Sequence, residues 1–371
     1  MLKSIKQYNS KQSALVIGGH GKTERFKKYI LAFGSKYKYI EKIMFDVITF
    51  GSATRDIFVR SKEFKIIDSP EFLTGKALAV EAGGKIYIEE LVFSTGGGGT
   101  NCAATFALQG LKTAFVGLVG NDQGGLEIFR ELNNLGVDCN FIKTTVKAST
   151  PHSIILSAPD KDRSILVYEG ASHLLSLGDI PFEQIKQSKW FYLSGLSGEA
   201  SKTFEPIINF AAANKIKLAV NPGHDQLTEN LDVLKKLLNK IDILLVNQEE
   251  ASLICGIDYK NETELFKKFD ELVSGIAVMS KGKEGVAVAD GKQIYRAGIP
   301  QSGYIDRTGS GDAFGSGFVA VIIRGGSIGE AIQFGTANAT GTIQRLGAKT
   351  GLLKKGDFGP WEKVQVAITK L

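Results

Sequence analysis

Residues 306–318 read Asp306-Arg-Thr-Gly-Ser-Gly-Asp312-Ala-Phe-Gly-Ser-Gly-Phe318. Three small residues, Gly309, Ser310 and Gly311, stand directly before an acid, and an apolar helical pattern follows (Phe314, Phe318, Val319, Ile322, Ile323). Small residues let backbone N–H groups turn inward at a helix start, where unpaired donors and the positive dipole end favour an anion. An acid at that spot is a candidate base, within reach of a hydroxyl facing a polyphosphate. The chemistry suggested is phosphoryl transfer. The same string also reads as an ordinary helix start with Asp312 as N-cap and glycines for the turn. Taken alone, these residues leave both readings open.

A second unusual stretch is Thr95-Gly-Gly-Gly-Gly-Thr-Asn101-Cys-Ala103. Its glycines, Gly97 and Gly98 among them, bring backbone close to a neighbour, and Asn101 offers a donor and an acceptor at a helix start. Binding a polyhydroxylated ring needs that combination; a flexible turn capped by Asn101 is the alternative. Asp242–Ala251 places Asn247 and Glu250 at the C-terminal end of a strand, where ligands collect in α/β sheets. An N-cap with an acid at the third helical position explains the same pair. Ser280-Lys-Gly282-Lys-Glu-Gly285 offers a hydroxyl and a glycine turn for phosphate and ribose, or a plain hairpin into Val286–Ala289. Arg163 follows a polar turn and suits bidentate contact with a carboxylate or phosphate, or a surface position.

The 371 residues are 43% hydrophobic and 23% charged, ordinary values for a soluble globular chain long enough for a full core. No apolar run approaches the roughly 20 residues of a membrane span. Cys102, Cys139 and Cys255 are far apart and show no metal-ligand spacing, which fits buried thiols in a reducing cytoplasm. The net charge of +6 is unevenly placed: residues 1–45 hold ten lysines and arginines against two glutamates, +8, which leaves −2 for the remainder. This basic extension reads as a solvated appendage, and a nucleic-acid partner is not expected. It contains Ala14-Leu-Val-Ile-Gly-Gly-His-Gly-Lys-Thr23, which imitates a phosphate loop, but Val16 stands where the first glycine of that motif belongs.

From Asp46 onward strands and helices alternate: Asp46–Gly51, Thr113–Val119, Trp190–Leu193, Lys217–Val220, Ile243–Val246 and Ile276–Met279 read as strands. Helical runs separate them, and helices Asp312–Arg324 and Ile328–Gln344 are expected to close the chain. Such alternation argues a parallel sheet covered on both faces. Extended segments near 55–60, 85–93 and 140–168 break the rhythm and read as a small sheet projecting from the core.

Taken together, the strings resemble the ribokinase-like (PfkB) carbohydrate kinases. Thr95–Ala103 is similar to that family's first signature, Gly-Gly-x-x-x-Asn-x-Ala, and Asp306–Phe314 to its second, Asp-Thr-x-Gly-Ala-Gly-Asp-x-Phe, with Ser310 replacing the common alanine. The resemblance spans residues about 46 to 355. It implies an α/β fold, a three-layer α/β/α domain with a small β-sheet lid, and ATP-dependent, Mg²⁺-assisted phosphorylation of a sugar hydroxyl of ribose, fructose or keto-deoxy-sugar type. A nucleoside kinase on the same fold, and a non-catalytic ligand- or nucleic-acid-binding protein, are the alternatives. Carried over residue by residue, it makes Asp312 the base and Gly309, Ser310 and Gly311 the anion hole. Asp56, Gly97, Gly98, Asn101 and Arg163 become substrate ligands. Asn247, Glu250, Ser280, Gly282, Gly285 and Asn338 become nucleotide ligands, with Glu250 ordering Mg²⁺ through water. Asp306 and Thr308 match places where the family holds K⁺. A cytoplasmic enzyme without membrane contact and a homodimer joined through the lid complete these expectations.

Overall fold

Continuous apolar runs bounded by glycine or polar turns become the central strands, as expected for strands buried on both faces. The computed structural model describes residues 44–72, 74–158 and 163–370. The basic extension, with its phosphate-loop imitation, lies outside the described residues. Val47–Phe50 and the eight residues Thr113–Gly120 are buried throughout. They stand in a ten-stranded sheet ordered Ala367–Lys370, Gln293–Ala297, Val286–Ala289, Ile276–Ser280, Ile243–Asn247, Lys217–Val220, Trp190–Leu193, Val47–Phe50, Thr113–Gly120, Ile142–Thr145. The seven strands from Ile276–Ser280 to Ile142–Thr145 run parallel, and the other three add an antiparallel edge.

Strand alternation sends successive side chains to opposite faces and so builds two layers of helix. Ile48, Phe50, Phe191, Leu193, Leu244 and Val246 pack with residues of helices Phe204–Ala213, Gln248–Cys255 and Glu262–Leu272. Val47, Tyr192, Ile243 and Leu245 pack on the other face with helices Gly98–Leu108, Ser310–Ile323 and Ile328–Ile343. The three-layer α/β/α expectation holds.

A separate four-stranded sheet is ordered Glu90–Gly96, Thr54–Arg60, His152–Ser157, Arg163–Tyr168. Three details differ from the sequence reading. The strand expected over Lys85–Phe93 instead begins at Glu90, and residues 85–89 take no strand. The segment near 140 does not join the small sheet: Ile142–Thr145 pairs in parallel with Thr113–Gly120, where Ile142 is buried. The chain does not close on its last long helix. Ala367–Lys370, exposed at every residue, returns to pair with Gln293–Ala297, and such a strand has no hydrophobic alternation to announce it.

Helix Ser310–Ile323, which carries the proposed base, is held from below by Phe318, fully buried with its ring 6.2 Å from that of Phe314. Phe318→Ala is expected to lower the unfolding free energy by about 3–5 kcal/mol. Urea denaturation followed by circular dichroism checks this, and a loss below 1 kcal/mol would mean that the helix is not anchored there.

Candidate active site

Helix Ser310–Ile323 begins in a turn that only a glycine makes without strain. Gly309 has φ of 77°, and a Cβ there would run into Ala348. The N–H groups of Gly311 and Asp312 point into this first turn with no intrachain acceptor among the described residues, so they are open to an anion. The Ser310 N–H differs from expectation: it donates to the Arg307 carbonyl at 3.2 Å, closing the turn. Ser310 therefore closes the turn, while the N–H groups of Gly311 and Asp312 stay unpaired.

Asp312 is half-buried and accepts a 2.9 Å hydrogen bond at Oδ2 from Asn101 Nδ2. Asn101 itself is buried on helix Gly98–Leu108, and its Oδ1 has no partner. Gly98, one turn earlier, leaves the space in front of the acid open: a Cβ there would collide with Ser194 Oγ and stand 3.4 Å from Asp312 Oδ1. Burial pushes the Asp312 carboxyl above its ordinary range. The Asn101 bond and the Lys349 charge oppose this, and Asp56 adds to it.

Asp56, on strand Thr54–Arg60, is buried and accepts from Thr54 Oγ1 at 3.0 Å. Its carboxyl is also raised by burial, against the pull of Lys349, Thr54 and Ser153 and with a further push from Asp306. Gly97 ends strand Glu90–Gly96 and caps the helix that carries Asn101. The two signatures, and the early acid Asp56, are thus brought to one place.

Lys349 is the residue that sequence reasoning missed. Its side chain is 3% exposed, and its ammonium donates to Thr95 Oγ1 at 2.7 Å and lies 3.3 Å from Glu131 Oε2. Thr95 in turn bonds Glu131. Burial pulls the Lys349 ammonium below its usual range, while Glu131, Asp56 and Asp312 all favour the charged form. One lysine in a lysine-rich chain carries no local signal. Its importance comes from the three carboxylates that the fold gathers round it.

Arg163 is placed differently from the expectation of a simple substrate ligand. Its Nη1 pairs with Asp306 Oδ1 and donates to Thr308 Oγ1 at 3.1 Å. A guanidinium therefore stands between the two oxygens expected to hold K⁺. Asp306 Oδ2 remains buried without a partner, but as a pair Asp306 and Thr308 already share a cation and do not fit a second one between them. Asn338 is also corrected. It is fully buried, its amide donates to Ala313 O at 2.8 Å and more weakly to Thr105 Oγ1, and its carbonyl accepts from Leu353 N at 2.8 Å. Both ends of its amide are engaged inside the fold and the residue is fully buried, so it stitches helices together rather than walling a nucleotide.

Asn247 and Ser280 lie in register at the C-terminal ends of adjacent parallel strands. Asn247 caps helix Gln248–Cys255 reciprocally with Glu250, each bond 2.8 Å. The cap uses Glu250 Oε2 and leaves Oε1, and burial raises this carboxyl. One spare carboxylate oxygen suits Mg²⁺, which keeps most of its ligands as water and phosphate oxygens. Gly282 and Gly285 bracket the single turn Gly282–Glu284, with which the hairpin into Val286–Ala289 begins. Both the cap reading and the hairpin reading are therefore physically present.

The chain matches the model of the pfkB family carbohydrate kinases over residues 45–355 and belongs to that family. It is 30% identical to the ribokinase of Haemophilus influenzae over 267 residues, 69% of this chain and 83% of that protein. A nucleoside kinase of Methanothermobacter thermautotrophicus is 26% identical over 269 residues, 71% and 82% of the two chains. Arabidopsis thaliana ribokinase, solved with ribose and ATP, shares the fold with a TM-score of 0.70 at 22% identity, covering 85% of this chain and 98% of that one. The protein is a phosphotransferase acting on a hydroxyl group.

Removing the Lys349 charge should let both acids rise further. In Lys349→Met the acid limb of the kcat/KM–pH profile is expected to move to higher pH, because a base is active only above its own pKa. A variant that loses thermal stability but keeps the wild-type limb would show that Lys349 only packs.

Proposed function

We propose that this enzyme transfers the γ-phosphate of ATP to a hydroxyl of a small sugar or sugar derivative, with Asp312 as the base. The observation that carries the reading is the shared geometry of Asn101 and Asp312. One end of the Asn101 amide orients the carboxylate, and the other end is a buried acceptor without a partner beside it. An acceptor hydroxyl donating to Asn101 or Asp56 lies next to the base that removes its proton. The Gly311 and Asp312 N–H groups face the position where negative charge gathers on the phosphoryl group.

Mg²⁺ bound to the nucleotide supplies neutralising charge on its phosphates. Asn247, Glu250 and Ser280 hold that end of the site, with Gly282 and Gly285 shaping the adjoining turn. The small sheet acts as the lid that keeps water from the phosphoryl group. The three cysteines, all free thiols, suit a reducing cytoplasm. Asp312→Asn is expected to reduce turnover by about 10²–10⁴ while ATP still binds. The check is ADP release with Mg·ATP over a panel of ribose, fructose, keto-deoxy acids, phosphosugars and nucleosides. An Asp312→Asn enzyme with full turnover would remove the base from the mechanism.

The outer face of the small sheet supports a second copy of the chain as its partner. Arg55 and Thr95 on this face meet Glu127 and Glu131 of helix Gln123–Asn134. Farther along, Leu91, Phe93, Leu166 and Tyr168 stand about half exposed. An uncovered apolar face of this kind marks an interface. Phe93→Lys with Leu166→Lys is expected to convert a dimer to monomers in light scattering after size exclusion; a wild-type monomer at working concentration would rule the arrangement out.

A further inference from the structure

The inner face of the small sheet is written in three cross-strand rows. The first holds Ser94, Asp56, Ser153 and Val167, the second Val92, Phe58, Ile155 and Ile165, and the third Glu90, Arg60, Ser157 and Arg163. Asp56 and Phe58 are buried, so this is the face turned toward the body. The third row, with Phe58, Tyr304, Ile305, Asp306, Arg307 and Leu346, lines a cavity of about 820 Å³. That volume lies within the range of small-ligand pockets.

Three guanidiniums reach this wall against two carboxylates, Glu90 and Asp306, a surplus of one positive charge. Their donors are only partly used. Arg163 engages Asp306 and Thr308 through Nη1, and Arg60 pairs with Glu90 through Nη1 at 3.1 Å with both groups well exposed. Arg307 lies 4.4 Å from the Tyr304 ring centre, a contact that orients the guanidinium plane without using an N–H, and has no carboxylate partner among the described residues. Each guanidinium has five N–H donors in a flat fork suited to phosphate or carboxylate oxygens.

We infer that the acceptor sugar carries an anionic group, a phosphate or a carboxylate, held by Arg60, Arg163 and Arg307 at the end of the small sheet beyond Asp56. This rests on the phosphotransfer reading above and names the class of acceptor for that site. The spacing agrees: four residues of extended strand separate Asp56 from Arg60, roughly 13 Å, which spans a sugar with a terminal anion and the two side chains that grip its ends. Phe58, the member of the apolar row that lines the cavity, meets the sugar's carbon face. The cavity adjoins the proposed acceptor end through Phe58, two residues from Asp56 on the same strand face, and Asp306, whose charge is felt by Asp56, whereas Asn247, Ser280 and the Gly282–Gly285 turn lie elsewhere.

The test compares kcat/KM for matched acceptors with saturating Mg·ATP. Fructose 6-phosphate and fructose 1-phosphate are set against fructose, and gluconate and 2-keto-3-deoxygluconate against glucose, which separates a phosphate from a carboxylate requirement. Arg60→Gln and Arg307→Gln are run on the same pairs. The anionic member of at least one pair is expected to win, and each variant is expected to cut the anionic-to-neutral ratio by about ten- to a hundredfold, mainly through KM. General loss of structure would lower both members and leave that ratio intact. Preference for neutral acceptors, an unchanged ratio in both variants, or a rise confined to the KM for ATP would each overturn the inference while leaving the kinase reading in place. A wild-type enzyme inert toward the whole panel and toward nucleosides would overturn both.

Discussion

The hydrogen bond from Asn101 to Asp312 joins two helix N-termini that stand 211 residues apart in the chain. Each helix packs on the same face of the main sheet, so the bond depends on the packing that seats both helices as much as on the two side chains. It fixes the direction of the carboxylate, occupies the donor end of the amide and leaves the acceptor end buried without a partner. A buried acceptor of that kind is costly unless something fills it. In the proposed function the group that fills it is the acceptor hydroxyl.

Charge balance follows from this arrangement. Asp56 and Asp312 are brought into one half-dry region, where burial pushes both carboxyls upward and a neighbouring charge adds to each, Asp306 for Asp56 and Asp56 for Asp312. Lys349 answers from the side of Thr95 and Glu131, and Arg163 answers from the small sheet through Asp306. Of these two cations it is Lys349 whose charge opposes the rise of Asp56 and Asp312. The Arg163–Asp306 pair also links the small sheet to the body at the turn ahead of Gly309, so the position of that sheet and the shape of the turn are coupled through one ion pair.

Strand alternation explains how a single small sheet can serve two purposes. Odd positions along Thr54–Arg60 face outward, first onto helix Gln123–Asn134 and then into an exposed apolar patch. Even positions face the body and carry the polar, apolar and charged rows. A register slip of one residue would exchange the faces, placing Asp56 outside and Ile57 and Val59 toward the body.

Much of the site was legible in the sequence because its signals are local. Gly309 is needed for a left-handed turn, the glycine run before Asn101 for close backbone approach, and the apolar runs for buried strands. These are demands of a few consecutive residues, and they place the proposed base, its amide partner and the three-layer fold. The remaining features depend on which distant segments meet. Asn338 has the chemistry of a ligand residue, but three internal partners bury it between helices. Ile142–Thr145 is extended in either sheet, and its pairing with Gly117–Gly120 decides which one it joins. Arg163 finds Asp306 across 143 residues, and Lys349 becomes significant through Thr95 and Glu131, both more than 200 residues away. Backbone conformation is governed by near neighbours and can be read along the chain, whereas the partner of a buried charge is chosen by packing and exists only in the folded molecule.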